Sequence, residues 1–515
     1  MTTINTDLSD FLLPSIPSLQ SKIGFGTTVP LGHNNGSLTV TEFAEDLALI
    51  YKTQGMQEIA GENNTTEVVR DCRFIFTEDN SSLNVNNATK PGLKVEVTTA
   101  ASDESLLTFE YISGKFETIS IKPNMTVTIL SCSKKEGEDS YCWKINSIEF
   151  NGSKLSAKDT EGTLFYSKKR WLRFDPNNKR GLIIAAGTFI RANDAEENRH
   201  WLCATEDMSF DVSNGINANR VSNYNVFLDF ENSEAKLTIS TNSTSEGRKI
   251  GRFHTLCSGV GTISAKVPTE RNSDSLLLVP YKQEEDPDFY NFYNKEVTVD
   301  TSITGEYSVG TVEHPLNGFI KGDILPESIW CLSFKPDCLK EDAMCYNKFT
   351  NTANDVYLMS GNSQTSASIY DQEFSTGRPV NLIDSLRTVG KKPLTDLEFS
   401  AAAFGSNEGT EVYENSSRTG GHVDDNSRRM ISFIGLEDCC GLCDQILNEY
   451  SSNSESGYLP DYDGTNVFGK AGNIFVLAAG GSDEQGDNCG YRSRNTSHNL
   501  SDSSSLGIRG SCSIA

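Results

Sequence analysis

The chain has 515 residues, of which 37% are hydrophobic and 22% charged, and its formal net charge is −25. This length exceeds what one hydrophobic core accommodates, so we expect several domains. The negative charge repels phosphate backbones and anionic lipid surfaces, which excludes nucleic acid as an expected partner.

The first 60 residues are typical of an arm that orders on a partner. Prolines and glycines are frequent before Thr39, so little of this segment can bury itself. Thr39 and Glu42 form a capping box, which predicts an amphipathic helix over about residues 40–54. We expect residues 1–60 to attach the chain to its neighbours. Met1 to Gln20 has no basic region followed by an apolar one, and the sequence has no run of about 18 apolar residues, so we expect neither a secretory signal nor membrane insertion.

From residue 61 to residue 324, short aliphatic runs alternate with turns rich in Asn, Gly, Asp and Ser. Six of these runs predict β-strands: 68–76, 93–98, 126–132, 182–186, 224–230 and 235–240. In the last run Ala235, Leu237 and Ile239 alternate with polar residues, as on a half-buried strand. We expect two β-rich domains of the sandwich type, residues 61–155 and 156–324.

Helical patterns reappear in the last third of the chain. A capping box that starts at Thr395 predicts a helix over residues 397–404, and an apolar stripe predicts another over 437–450. Residues 474–479 are typical of a strand and are followed by two glycines. The mixture indicates an α+β domain over residues 325–515.

Several motifs of this last third occur in a characteristic order: Pro393 to Ala403, Gly435 to Leu447, Gly480-Gly481-Ser482, Cys489 to Arg494, and Gly507-Ile508-Arg509. Together they resemble the formylglycine-generating-enzyme branch of the C-type-lectin fold. The resemblance implies a C-type-lectin-like domain. That branch uses two cysteines to hold copper, and here Cys489 matches one while Glu484 occupies the place of the other. We therefore expect no cofactor, no bound metal and no enzyme activity; a copper-dependent oxidase is the alternative.

A second group of motifs is similar to phage and prophage members of this fold, which include receptor-binding proteins diversified by retroelements: Arg248 to Cys257, Gly318 to Trp330, Gly420 to Val423, and Gly435 to Gly441. This resemblance implies a bacteriophage virion protein, a head or tail fibre or adhesin, assembled in the host cytoplasm. The N-terminal region would contact other virion proteins, and the lectin-like domain would bind a host surface glycan or protein. A homo-oligomer is implied, with a trimer favoured. A decoration protein without receptor binding is the alternative.

The segment from Ser482 to Ser505 consists mainly of polar residues that one adenine change separates from an Asn codon. This bias is what adenine-directed mutagenesis leaves, although an ordinary polar loop has a similar composition. We expect the receptor-binding face here, with Arg492, Arg494 and Arg509 as scaffold beneath it. The predicted face consists of Asp483, Glu484, Asp487, Tyr491, Asn495, Ser497, His498 and Asn499.

Other chemistry-bearing residues have simpler interpretations. The thirteen cysteines accompany no export signal, so we expect thiols. Cys439, Cys440 and Cys443 lack the second pair of cysteines that a structural zinc site needs, and we expect them on a buried helix face.

The acidic stretch 283–288 lacks the ligand spacing of a calcium-binding loop, and we expect it to be a solvated loop. His254, His314 and His422 have no nucleophile beside them, and we expect structural roles.

Overall fold

The structure is a computed structural model that describes residues 57–68, 71–112, 114–134, 140–159, 162–194, 197–231, 234–245, 247–269, 297–299, 308–414, 416–452, 474–496, 498 and 506–515. The predicted helix over residues 40–54 and the acidic stretch 283–288 lie outside these residues. So does most of the predicted N-terminal arm.

Two facing sheets are built from thirteen of the first fifteen described strands. The fifteen are β1 (Gln57–Ile59), β2 (Asn64–Thr66), β3 (Cys72–Phe76), β4 (Ser82–Val85), β5 (Lys94–Thr99), β6 (Ser105–Ile112), β7 (Lys115–Ile121), β8 (Met125–Lys134), β9 (Tyr141–Phe150), β10 (Ser153–Leu155), β11 (Leu164–Tyr166), β12 (Leu172–Phe174), β13 (Gly181–Ile184), β14 (Thr188–Asn193) and β15 (Arg199–Ala204). One sheet has the order β1-β3-β5-β8-β9-β10 and the other β11-β14-β15-β7-β6-β4-β2. Strands β12 and β13 belong to a small separate sheet.

The first six strands alternate between the two sheets. As a result β1, β3 and β5 pair in parallel, and so do β2, β4 and β6, without helical crossovers. Val95 and Val127 from one sheet share a fully buried core with Leu107 and Ile119 from the other. The apolar faces of the two sheets therefore pack on each other, which is the sandwich arrangement expected from the sequence.

A third group of strands continues the β-rich fold: β16 (Met208–Asp211), β17 (Asn223–Glu231), β18 (Glu234–Ser240), β19 (Arg248–His254), β20 (Ser264–Thr269), β21 (Val297–Val299), β22 (Ser308–Glu313) and β23 (Trp330–Cys331). Strands β18, β17, β19 and β23 form one sheet in that order. Ala235, Leu237 and Ile239 pack against the core, as their alternation predicts. Strands occur at all six predicted runs, with shifted ends.

The last third contains short strands and two helices: β24 (Met344–Asn347), β25 (Thr352–Asp355), β26 (Met359–Ser360), β27 (Ala367–Ser368), α1 (Pro379–Thr388), β28 (Lys392–Pro393), α2 (Asp396–Ala402), β29 (Gln445–Ser452), β30 (Ile474–Gly480), β31 (Gly490–Asn495), β32 (Gly507–Ile508) and β33 (Gly510–Ser513). The final strand β33 lies between β25 and β28, and β29 lies between β30 and β32. The chain is thus β-rich with few helices, and none of its described helices is long and apolar enough to cross a membrane.

One of the two C-terminal helix predictions is confirmed and the other is wrong. Helix α2 begins after Thr395, whose hydroxyl accepts the Glu398 amide at 3.2 Å while the Glu398 carboxylate accepts the Thr395 amide at 2.8 Å. Residues 437–450 form no helix; residues 437–444 form a loop, and residues 445–450 belong to β29. Gly441 has a φ of +81° and approaches Thr410 so closely that the backbone must turn there.

Two large cores organise the buried side chains. One runs from Val68 to Cys203 and the other from Leu164 to Cys512. The first core draws on residues on either side of position 155, and the second draws on residues on either side of position 324. The predicted domain division at these positions stays a prediction.

Arg509 is the polar centre of the second core, with 1% of its surface exposed. Its guanidinium donates to the carbonyl oxygens of Asp355 at 2.8 Å and Val356 at 2.5 Å, to the carbonyl of Glu437, and to Gln445 Oε1 at 3.2 Å. Since these partners lie on β25, on the loop that precedes β29 and on β29 itself, one side chain holds three segments in place.

We predict that Arg509→Met lowers the free energy of unfolding by about 3 kcal/mol or more, because several buried oxygens lose their donors. Arg387→Met is the matched control. Its side chain on α1 is 63% exposed and pairs only with Asp384, so the change should stay within about 0.5 kcal/mol. Denaturant unfolding followed by circular dichroism measures both variants, and equal losses would contradict the role of Arg509.

Candidate functional site

A buried ion pair supports the loops near the C-terminal end of the fold. Arg429 Nη2 lies 2.8 Å from both carboxylate oxygens of Glu437, and neither side chain is more than 5% exposed. The thiol of Cys257 donates to Glu437 at 3.2 Å, and the amide of Gly421 donates to it at the same distance. A buried carboxylate with this many donors holds its surroundings rigidly.

Asp444 is a second buried carboxylate and lies next to the predicted face. It is 4% exposed, and its Oδ2 accepts hydrogen bonds from Gln485 Nε2 at 3.1 Å, Asn495 Nδ2 at 2.8 Å and His498 Nε2 at 3.0 Å. Its backbone carbonyl also accepts the Gly507 amide at 2.9 Å. One carboxylate therefore fixes side chains from three places in the segment 485–498.

Two loops meet next to this carboxylate and form a surface that we call the loop face, residues 408–414, 416–426 and 482–490. The amide of Gly409 donates to the Cys489 carbonyl at 2.8 Å, and the amide of Gly486 donates to Glu411 Oε2 at 2.7 Å. Within the first loop, Thr410 Oγ1 donates to the buried Asp424 at 2.8 Å. The two loops thus hold each other through one backbone–backbone hydrogen bond and one bond from a backbone amide to a carboxylate, while other side chains of these loops face solvent.

Glycine pairs make the sharp turns of this region. Gly420, Gly421, Gly480 and Gly481 all have φ between +83° and +93°. At Gly480 an added Cβ would lie 2.4 Å from the carbonyl oxygen of Cys439. Only glycine fits this combination of left-handed backbone and close approach.

The structure brings some of the predicted face residues together. Glu484 and Asp487 are exposed, Asp483 is half-buried, and Asn495 and His498 meet at Asp444. Ser497 and Asn499 lie outside the described residues. The assignment of the face to receptor binding stays a prediction.

Tyr491 corrects one part of that expectation, because it is buried where we expected an exposed contact residue. It is only 6% exposed, and its ring packs edge-on against Phe404 at a centroid distance of 5.6 Å. Tyr491 lies on β31, where side chains alternate between the two faces of the sheet, and its face is the one that meets the core.

The scaffold role expected for the arginines agrees with the contacts of Arg494 and Arg509. Arg494 pairs with Asp396, donates to Ser400 Oγ at 2.6 Å, and lies over the ring of Phe399 at 5.4 Å. These contacts tie β31 to helix α2. The side chain of Arg492 lies outside the described part of the structure.

Sequence reasoning missed Tyr413, the most exposed aromatic of the loop face. Its ring is 65% exposed, while its backbone amide donates to the Val423 carbonyl at 3.0 Å. Glu414 and Asp425 beside it on the same loop are exposed as well. A signal was present, since Tyr413 lies in a polar, glycine-containing segment between Gly409 and Gly420, but nothing local placed it next to residues 482–490.

The cysteines that the sequence places near the predicted face are buried. Cys489 donates to the Ser482 carbonyl at 3.2 Å, and burial, reinforced by Glu411 and Asp444, raises the pKa of this thiol to about 12. A thiol in this state is a poor metal ligand and a poor nucleophile. Cys439, Cys440 and Cys443 are buried as expected, although on a loop and not on a helix. No cluster of three His, Cys, Asp or Glu suited to a metal occurs within the described ranges.

The three histidines have structural partners, as predicted. His314 and His254 are almost fully buried, and His422 Nδ1 lies 3.0 Å from Asp438. For His254 the tautomer follows from its neighbours. Asn223 Oδ1 accepts the Ala343 amide at 3.0 Å, so His254 Nδ1 donates to that oxygen at 2.7 Å and Nε2 accepts from Tyr357 at 3.0 Å.

The chain matches no protein-family model and no curated protein sequence. Solved structures similar to it include variants of a protein named Major Tropism Determinant. The I1 variant is 17% identical with a TM-score of 0.45, and the match covers 72% of this chain and 92% of that chain. The U1 variant is 16% identical with the same TM-score and coverage. A TM-score below 0.5 does not establish a common fold.

We predict that Tyr491→Ala lowers the free energy of unfolding by about 3 kcal/mol, because it leaves a cavity beside Phe404. Tyr413→Ala is the matched control and should change it by no more than about 0.5 kcal/mol, since that ring faces solvent. Denaturant titration of both variants measures the difference. Similar losses in the two would contradict the burial of Tyr491.

We predict that acid weakens the fold through His254. Burial lowers the pKa of His254 to about 3, whereas an unfolded histidine titrates near 6.5. A depressed folded pKa gives stability that is present above about pH 6.5 and is lost as the pH falls toward 3. His254→Gln should therefore reduce the slope of unfolding free energy against pH by about 1.4 kcal/mol per pH unit around pH 4 to 5.

Ser328→Ala is the control for this pH dependence. The Ser328 hydroxyl bonds the backbone of His254 at 2.9 and 3.0 Å and carries no titrating proton in this range. That variant should lower stability equally at every pH and leave the slope unchanged. A slope that His254→Gln does not alter would disprove the assignment.

Proposed function

We propose that the chain is a bacteriophage virion protein that binds a host surface receptor through its C-terminal part and catalyses no reaction. The observation that carries this proposal is the loop face, where exposed carboxylates and the exposed Tyr413 project from loops that are held by the buried carboxylates of Glu437 and Asp444. Loops on a rigid frame are the usual place for recognition, since their surface residues can vary without unfolding the domain.

The finer parts of the proposal rest on the resemblance noted in the sequence. Residues 325–515 form a C-type-lectin-like domain, residues 1–60 attach the chain to other virion proteins, and the chain assembles as a homo-oligomer, in the host cytoplasm, with a trimer favoured. Repetition of a weak site on one particle would raise its apparent affinity by about 100-fold or more. The polar segment 482–505 is where retroelement diversification would change receptor choice.

The charge of the loop face favours one kind of receptor. Glu414, Asp425, Glu484 and Asp487 are exposed carboxylates on these loops, and the whole chain is strongly acidic. Such a surface repels phosphorylated lipids and sugars. A glycan without phosphate, or a protein, is the host surface group that this face suits.

The proposal predicts separate effects of Tyr413 and of the carboxylates. Tyr413→Ala should weaken adsorption of virions to their host cells by about tenfold, since an exposed aromatic at an interface contributes up to about 2 kcal/mol. Replacement of Glu484 by Gln together with Asp487 by Asn should also change adsorption. Adsorption is counted as unadsorbed infectious particles against time.

Matched controls separate contact from general damage. Phe116→Ala removes a 49% exposed aromatic from strand β7 of the other core, and Glu234→Gln removes an exposed carboxylate on β18. Neither should alter adsorption. If the Tyr413 and carboxylate variants fold normally, enter virions and adsorb like the unchanged chain, the receptor-binding face lies elsewhere.

A further inference from the structure

A pair of cysteines lies side by side where the chain ends. Pro336 and Ile514 form an antiparallel β-bridge, flanked by hydrogen bonds from the Asp337 amide to the Ser513 carbonyl at 2.9 Å and from the Ala515 amide to the Lys335 carbonyl at 2.8 Å. The segment 335–337 therefore runs antiparallel to the last residues of the chain, with a defined register.

This bridge brings Cys338 close to Cys512. The bridge itself is confined to Pro336 and Ile514, and the chain bends at residues 337–339 just beyond it. The two side chains nevertheless meet, because the Cys512 thiol lies within hydrogen-bond distance of the Cys338 sulfur. Two cysteines in such contact need little backbone movement to reach the geometry of a disulfide.

We propose that Cys338 and Cys512 form a site of thiol oxidation, in which a small-molecule disulfide converts the two thiols into one disulfide that fastens the last strand to the segment 335–338. Cys512 lies on β33, between β25 and β28, and is 4% exposed. Cys338 is half-buried between exposed neighbours, so oxidant from solvent reaches Cys338 first.

The chemical states of the two sulfurs agree with this order. The hydrogen bond from the Cys512 thiol lowers the pKa of Cys338 by more than burial raises it, and the positive charge of Lys391 lowers it further. The same hydrogen bond, together with burial, raises the pKa of Cys512. Cys338 is therefore the attacking thiolate and Cys512 the thiol that resolves the intermediate.

The reaction balances in two exchange steps. The Cys338 thiolate attacks one sulfur of oxidised glutathione, forms a mixed disulfide, and releases one glutathione thiolate. Cys512 then loses its proton to solvent, attacks the Cys338 sulfur, and releases the second glutathione. Two protein thiols are oxidised, and one glutathione disulfide is reduced to two thiols.

The bond would act on the strand that depends on Arg509. Arg509 immediately precedes β33, and Cys512 lies within that strand. A reducing cytoplasm would keep the pair as thiols during synthesis, and an oxidising exterior would close it afterwards. The pairing of the two cysteines does not depend on the proposed receptor-binding function.

The test treats the folded, full-length chain with oxidised glutathione, blocks the remaining thiols with N-ethylmaleimide, and maps peptides by mass spectrometry without reduction. We expect a linked peptide pair that contains Cys338 and Cys512 and has lost two hydrogens. The midpoint of thermal unfolding should rise on oxidation and return on reduction.

Two variants make the outcome decisive. Cys512→Ser should stop at a glutathione adduct on Cys338, which also shows that the reagent reached the site. Cys338→Ser should leave Cys512 without an adduct, because that thiol is buried. The proposal is overturned if the folded chain gives no Cys338–Cys512 link while Cys512→Ser forms the adduct, or if the link appears only in denaturant.

Discussion

The arrangement of the C-terminal part depends on one buried cation. Arg509 has 1% of its surface exposed, and its guanidinium is satisfied by backbone carbonyls and one amide oxygen. A cation inside a protein is tolerated only where such acceptors surround it, so the segments that supply them cannot separate without a large loss. The position of β29, and with it that of Asp444, follows from this constraint.

The molecule separates buried polar contacts from exposed ones. Arg429 and Glu437 satisfy each other inside the fold, and Asp444 collects three side chains on a single oxygen. Above them the loop face exposes carboxylates and Tyr413 to solvent. Substitutions on the loop face should change the free energy of unfolding little. Substitutions of Arg429, Glu437 or Asp444 would instead leave buried polar groups without partners.

Two tyrosines show how position decides the role of a residue type. Tyr491 packs on Phe404 and contributes apolar burial, while Tyr413 projects 65% of its surface into solvent. Tyr491 lies on the face of β31 that meets the core. Tyr413 lies on a loop, where its backbone amide is hydrogen-bonded to Val423 but its side chain projects into solvent. The cysteines divide in the same way, since Cys489 is held as a thiol by burial while Cys338 faces a partner thiol near the surface.

The sequence by itself determined the features whose causes lie within a few residues. The capping box at Thr395, the alternation along 235–240 and the glycine turns at 480 and 481 are such features, because local hydrogen bonds, side-chain period and backbone freedom decide them. The sequence also indicated that residues 61–324 are rich in strands. It showed as well that Glu484 stands where the resembling enzymes have the second of their two cysteines.

Only the tertiary structure decided the features that join distant residues. The stripe over 437–450 resembles a helix locally, yet Gly441 meets Thr410 and the segment turns instead. The burial of Tyr491, the convergence on Asp444 and the pairing of Cys338 with Cys512 have the same origin. Each depends on contacts between segments that the chain separates by tens to hundreds of residues, and no local pattern of residue types encodes such a contact.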